Sequence, residues 1–128
     1  MPEVGGGQMP SEPPRVVVVD DDDTVGPAIR DLLEPEGFAV EHPGDARAAL
    51  PQLIREAPDL VILDINMPGM NGIDALRRIK EIKPDLKVIL SSAYQEFKQD
   101  LASWASDEYI VKSSNLDELK AAVRRHLS

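Results

Sequence analysis

Leu60-Val61-Ile62-Leu63-Asp64-Ile65-Asn66-Met67-Pro68-Gly69 is the stretch that decides the fold. A short apolar run ends in one carboxylate, and turn residues follow at once. Leu, Val and Ile in a run this short, bounded by turn signals, read as a strand buried on both faces. Asp64 then stands at the strand's carboxyl end, the edge where open α/β sheets place their ligands. That position marks it as a candidate reactive group.

A second run of the same kind lies upstream. Arg15-Val16-Val17-Val18-Val19 is β-branched and reads as a buried strand, and it stops at Asp20-Asp21-Asp22-Asp23. Adjacent carboxylates repel one another. A solvated turn with Asp23 or Thr24 as helix cap would tolerate part of the run. It does not explain why the acids begin at the carboxyl end of a buried strand. A hard-cation site does, since Mg²⁺ takes oxygen ligands and usually one or two carboxylates.

The rest of the chain alternates. Val25, Ile29, Leu32 and Leu33 recur at helical spacing, with Pro27 in the first turn and Pro35 and Gly37 as closure. Phe38-Ala39-Val40-Glu41 predicts a second strand. A helix follows from an Asp45 cap to about Glu56, kinked by Pro51. After the central strand, Ile73, Leu76, Ile79 and Ile82 form the apolar stripe of a third helix that ends before Pro84. Lys87-Val88-Ile89-Leu90 predicts a fourth strand, ending in Ser91-Ser92-Ala93. Phe97, Leu101 and Trp104 mark a fourth helix from about Glu96 to Ala105. Glu108-Tyr109-Ile110-Val111-Lys112 predicts a fifth strand. Asn115 and Glu118 form a capping box for a last helix that buries Leu116, Leu119, Val123 and Leu127. Five strands alternating with helices imply an α/β domain: a parallel sheet covered on both faces through right-handed crossovers.

Composition bounds the function. The chain has 128 residues and 42% apolar content, enough for one domain with its own core. A net charge of -9 argues against a nucleic-acid-binding surface. No cysteine means no disulfide and no thiolate metal site. No apolar run reaches membrane-spanning length and no secretory leader is evident, so a cytoplasmic protein is expected. Residues Met1 to Pro14, rich in Gly and Pro, read as a flexible tail before a domain at 15–128.

In a parallel sheet all carboxyl ends share one side. Asp20-Asp21, Asp64, Ser92 and Lys112 would therefore converge. Three carboxylates call for a cation, and Mg²⁺ leaves open positions for phosphate oxygens. Lys112 adds a point charge and Ser92 a neutral donor. Nucleophile, metal, cation and hydrogen-bond donor together suit a phosphoryl group on a carboxylate.

Val18-Val19-Asp20-Asp21-Asp22, Leu63-Asp64-Ile65-Asn66-Met67-Pro68-Gly69-Met70-Asn71-Gly72, Leu90-Ser91-Ser92-Ala93 and Asp107-Glu108-Tyr109-Ile110-Val111-Lys112 resemble the motifs of bacterial two-component response regulator receiver domains. The resemblance covers Arg15 to Leu127. It implies a flavodoxin-like doubly wound fold, a five-stranded sheet in the order 2-1-3-4-5 with five helices. By it, Asp64 accepts a phosphoryl group from a sensor histidine kinase or a phosphotransfer protein. Asp21, Asp64 and the Asn66 carbonyl hold Mg²⁺, and Asp20 assists. Lys112 pairs with the phosphoryl oxygens, and Ser92 and Tyr109 act as switch residues. Asn66 and Tyr94 tune dephosphorylation. The signal leaves through the fourth helix, fifth strand and fifth helix, with a second copy of the phosphorylated chain as one partner. The protein would be a phosphorelay switch and not an enzyme beyond its own phosphoryl transfer and autodephosphorylation. One departure is Ser113, where the family has a proline after the lysine. A cis bond without proline costs about 2.5–4 kcal/mol, so this turn either bears that cost or changes shape.

Two alternatives compete. Asp20-x-Asp22-x-Thr24 matches the signature of Mg²⁺-dependent haloacid-dehalogenase-like phosphatases, with Asp20 as nucleophile, but leaves Asp64 idle. Their late acidic pair would have to be Asp117-Glu118, which opens an amphipathic helix. A binding module that is never phosphorylated would typically have lost an acid or the lysine, and this chain keeps them.

Overall fold

The β-branched and leucine-rich runs form one parallel sheet. Its strands are β1 (Arg15–Val19), β2 (Ala39–Glu41), β3 (Leu60–Asp64), β4 (Lys87–Ser92) and β5 (Glu108–Val111). Their spatial order is β2-β1-β3-β4-β5. The computed structural model describes residues 13–20, 22, 24–43, 46–64, 66–67, 70–92, 108–111 and 116–127; for 46–48, 50, 54, 66–67, 70–73, 92, 108–109 and 111 it describes the backbone alone. Four α-helices lie among the described residues: α1 (Val25–Leu33), α2 (Ala46–Arg55), α3 (Gly72–Ile82) and a C-terminal helix (Asp117–Leu127). The helix expected at about 96–105, the Asn115 cap, the Lys112–Ser113 bond and the N-terminal stretch 1–12 lie outside them.

Strand alternation divides the core into two layers. Val17, Val19, Val61, Leu63, Val88 and Leu90 face Ala49 and Leu53 of α2 and Ala75, Leu76 and Ile79 of α3. Val16, Val18, Leu60, Ile62, Ile89 and Ile110 face Ile29 and Leu33 of α1 and Leu119, Ala122 and Val123 of the C-terminal helix. All five residues of β3 are buried, which is why that strand reads as an unbroken apolar run and not as an alternating one.

The termini of α1 show what the sequence can and cannot specify. At its end α1 runs on into one 3₁₀ turn, Glu34–Glu36, and Pro35 and Gly37 close that turn as expected. Gly37 takes φ 98°, Gly37 N–H donates to Glu34 O at 3.0 Å and Phe38 N–H to Leu33 O at 3.3 Å. This is a Schellman cap, which needs a residue tolerant of the left-handed region. Phe38 thus completes the helix closure, and β2 begins one residue later than expected. At the start, Thr24 occupies the N-cap position but makes no side-chain cap. Its N–H and its hydroxyl both donate to Asp22 Oδ1, at 2.9 and 2.7 Å. Thr24 already has helical backbone angles, φ -87° and ψ -20°, and not the extended conformation of a capping residue, so its hydroxyl bonds back to Asp22 instead of capping the first turn.

Three further differences stand out. Asn66–Met67 and Met70–Asn71 form a small antiparallel ladder where a turn alone was expected. β4 extends to Ser92, because Ser91 pairs with Asp64 on one side and Ser92 with Val111 on the other. Ile82 belongs by spacing to the buried stripe of α3, yet it is 49% exposed. The last turn of α3 stands beside the loop Ala57–Asp59, at the amino edge of β3, where Ile82 lines an open cleft.

Candidate functional site

The carboxyl edge of the sheet collects the polar strand ends. β1 and β3 are neighbours, and Val19 with Leu63 is their last paired position. Asp20 and Asp64 are the next residues, on strands about 4.8 Å apart. Alternation carries both onto the face of Val16, Val18, Leu60 and Ile62, under α1 and the C-terminal helix. Both are almost fully buried, at 5% and 4% exposure, and they are the only buried charged residues among those described. This edge is also where the chain order reverses: β2 lies on one side of β1, and the next strand, β3, on the other. Ligands of open α/β sheets bind at that crevice.

The acidic run divides by function. Asp20 accepts the Asp22 N–H on Oδ1 at 2.9 Å. Asp22 in turn accepts from Thr24, and its carbonyl receives Val25 N–H at 3.1 Å. Asp22 is exposed and organises the turn into α1, so for it the structural role suffices. Asp20 is buried beside Asp64, and helix entry does not account for that.

Asp64 pairs in register with Ser91, and Ser92 closes β4 opposite Val111, the residue before Lys112. The structure thus brings Asp20, Asp64 and the backbone of Ser92 to one edge. Asn66 follows two residues after Asp64, in the short ladder. Tyr109 lies in β5, paired with Leu90. Asp21, Tyr94, Lys112 and Ser113 lie outside the described residues.

Two buried carboxylates on adjacent strand ends are hard oxygen donors, and their mutual repulsion favours a cation between them. Among the described residues no group of three or more His, Cys, Asp or Glu could cage a metal ion. Mg²⁺ needs no such cage: one or two carboxylates with waters and phosphate oxygens are its usual setting. The donor set fits that ion.

One contact at this edge was not legible beforehand. His42 directly follows β2, and its Nε2 lies 2.9 Å from the Asp20 carbonyl oxygen. On the sheet's other face, Arg15 Nε and Nη2 donate to Glu41 at 3.0 and 3.2 Å. That bond raises the Arg15 guanidinium above its ordinary value. The pair ties β1 to β2 on the face opposite that of Asp20 and Asp64.

The family model for the response regulator receiver domain matches residues 16–124. The chain belongs to the receiver domain family of two-component response regulators. It is similar to the response regulator TrrA of Thermotoga maritima, whose crystal structure is a complex with Mg²⁺-BeF. Identity is 41%, over 89% of this chain and 99% of that one, with a TM-score of 0.82. A second structure holds TrrA in complex with the histidine kinase ThkA, at 41% identity, 90% and 99% coverage and a TM-score of 0.80. The receiver is 30% identical to sporulation initiation phosphotransferase F of Bacillus subtilis, over 88% of this chain and 93% of that protein. It is 33% identical to response regulator MprA of Mycolicibacterium vanbaalenii, over 88% of this chain but only 49% of MprA. The receiver thus spans nearly all of the first relative and about half of the second. These matches give no support to the haloacid-dehalogenase-like alternative. Among the described residues no helix of the receiver is long and apolar enough to cross a membrane.

Proposed function

We propose that this receiver is a phosphorylation-dependent switch whose phosphoacceptor is Asp64. The observation that carries the reading is the burial of Asp64 beside Asp20 at the switch point of the sheet. In the reaction, an Asp64 carboxylate oxygen attacks the phosphorus of a phosphohistidine. The new P–O bond forms as the N–P bond breaks, and the imidazole leaves with the electron pair. A neighbour of this fold crystallised with its histidine kinase supports a sensor kinase as the donor.

Asp20, Asp21, Asp64 and the Asn66 carbonyl are the residues that would hold Mg²⁺. Bound there, the ion offsets the charge of the carboxylates and of the phosphoryl oxygens. Burial of Asp64 excludes bulk water from the nucleophile and fixes its direction of attack. Lys112, one residue past the β5 end that faces Ser92, supplies the second cationic contact. Ser92 donates a hydroxyl to the phosphoryl group, and Tyr109 follows it inward. The phosphorylated state is selected because it alone makes these contacts. Output passes through the face formed by residues 96–105, β5 and the C-terminal helix, toward a partner domain or a second receiver. The only chemistry of the chain itself is then transfer to Asp64 and loss of the phosphoryl group to water.

The test is labelling with radioactive acetyl phosphate in the presence of Mg²⁺. Asp64→Asn is expected to abolish the label. If the label survives in Asp64→Asn and disappears in Asp20→Asn, the nucleophile lies on β1 and the proposal is wrong.

A further inference from the structure

We infer that His42 is a positioning residue for the acidic edge: its Nε2–H holds the Asp20 carbonyl, and Gly26 makes the room its ring requires. This rests on the reading of the Asp20–Asp64 edge as the phosphoacceptor site.

The β1–β2 ladder is short. It ends with Val17 opposite Glu41, whereas β1 and β3 stay paired as far as Val19. On its β2 side, β1 therefore runs on without a strand partner just before the acids. His42 stands next in register, beside Val18, and its side chain reaches forward along β1 to the Asp20 carbonyl at 2.9 Å. A carbonyl only accepts, so Nε2 carries the proton. The imidazole thus takes the place of a ladder bond that β2 is too short to make. The bond also holds the plane of the peptide unit through which the acidic run leaves the sheet.

Asp20 is consequently anchored at both ends. Its main chain is held by His42, and its Oδ1 by the Asp22 N–H at 2.9 Å. A cation site built on a loop gains affinity when such outer contacts fix its ligands in advance, and their loss typically costs about 10–100-fold in metal affinity. The ring needs a gap in α1 to reach this position. Gly26, in the first turn of α1, is buried, and a Cβ there would collide with Nδ1 and Cγ of His42. Gly26 is required by this close approach and not by a left-handed backbone.

The experiment uses the full chain and Mg²⁺ alone as probe, with backbone amide shifts read by NMR during titration. His42→Ala is expected to weaken Mg²⁺ by about tenfold or more. His42→Gln, whose amide offers a donor at similar reach, recovers most of that loss. Gly26→Ala, which keeps the imidazole but evicts it, behaves like His42→Ala. A merely structural histidine would lower the unfolding temperature and leave the Mg²⁺ affinity of the folded protein unchanged. That outcome overturns the proposal, and so does a His42→Gln as weak as His42→Ala. No variant is needed for a third check: in the unmodified chain, a His42 Nε2–H resonance indifferent to Mg²⁺ saturation also overturns it. Normal labelling of Asp64 with unaltered Mg²⁺ binding in His42→Ala removes His42 alone. A wild-type chain with no Mg²⁺ response removes the reading of the edge and this inference with it.

Discussion

Leu76→Ala and Ile82→Ala, made separately in α3, should differ several-fold in their effect on stability. Both residues lie on one apolar stripe, yet Leu76 is 0% and Ile82 49% exposed. Leu76 packs among Leu63, Ile79 and Leu90 in the layer under α2 and α3. Its truncation loses the transfer free energy of the removed groups and leaves a cavity in a close-packed core, about 3–4 kcal/mol together. Ile82 is buried over only about half its surface, so about 1 kcal/mol of transfer is at stake. Alanine returns a few tenths of that, about 0.3 kcal/mol, as the better helix former. An unfolding entropy of about 2.1 cal/mol/K per residue, over a domain of about 110 residues, makes 1 kcal/mol about 4 °C. The expected drops are about 12–16 °C for Leu76→Ala and under about 4 °C for Ile82→Ala. Thermal unfolding by circular dichroism reads both, and a urea titration with unchanged slope shows that the midpoint shift is a change in stability. Equal losses would refute the placement of α3 against the sheet. So would a loss under about 1 kcal/mol for Leu76→Ala.

Gly37→Ala should destabilise by about 1 kcal/mol, and Gly37→Asn by less, because φ 98° is costly for a side chain while no atom lies within 4 Å of the added Cβ; urea midpoints of the three proteins decide it. Glu36 receives Arg124 Nη2 at 3.0 Å and Lys120 Nζ at 3.9 Å, joining the turn after α1 to the C-terminal helix. Glu36→Gln should cost under about 1 kcal/mol at low salt and almost nothing near 1 M NaCl, and a salt-independent cost would show that the contact is not electrostatic. The Arg15–Glu41 bond raises the folded guanidinium above its unfolded value, so its stabilisation is complete below the ordinary arginine range and falls only as pH climbs through the folded value. The cost of Arg15→Met should therefore be the same at about pH 7 and about pH 10, and a loss of the effect within that window would contradict the assignment.

Much of this receiver was legible in the sequence because its signals are local. A run such as Leu60–Leu63, followed at once by Asp64 and turn residues, needs no partner to be read as a buried strand. Pro35 and Gly37 announce the end of α1 by their own backbone constraints. The motif around Asp64 is equally local, and the family can be read from it without the fold. What the tertiary structure decided are relations between segments distant in the chain. Register set Asp20 beside Asp64 and gave both the same face, and a shift of one residue would have separated them. Spacing alone could not tell Leu76 from Ile82, because exposure depends on where the sheet ends and not on the helix's own period. Thr24 is a capping residue by type, but its backbone already has helical angles at that position, and its hydroxyl donates back to Asp22. His42 and Gly26 carry no local motif. Their pairing exists only because β2 stops early and α1 starts beside it, an arrangement set by packing and invisible to any window of sequence.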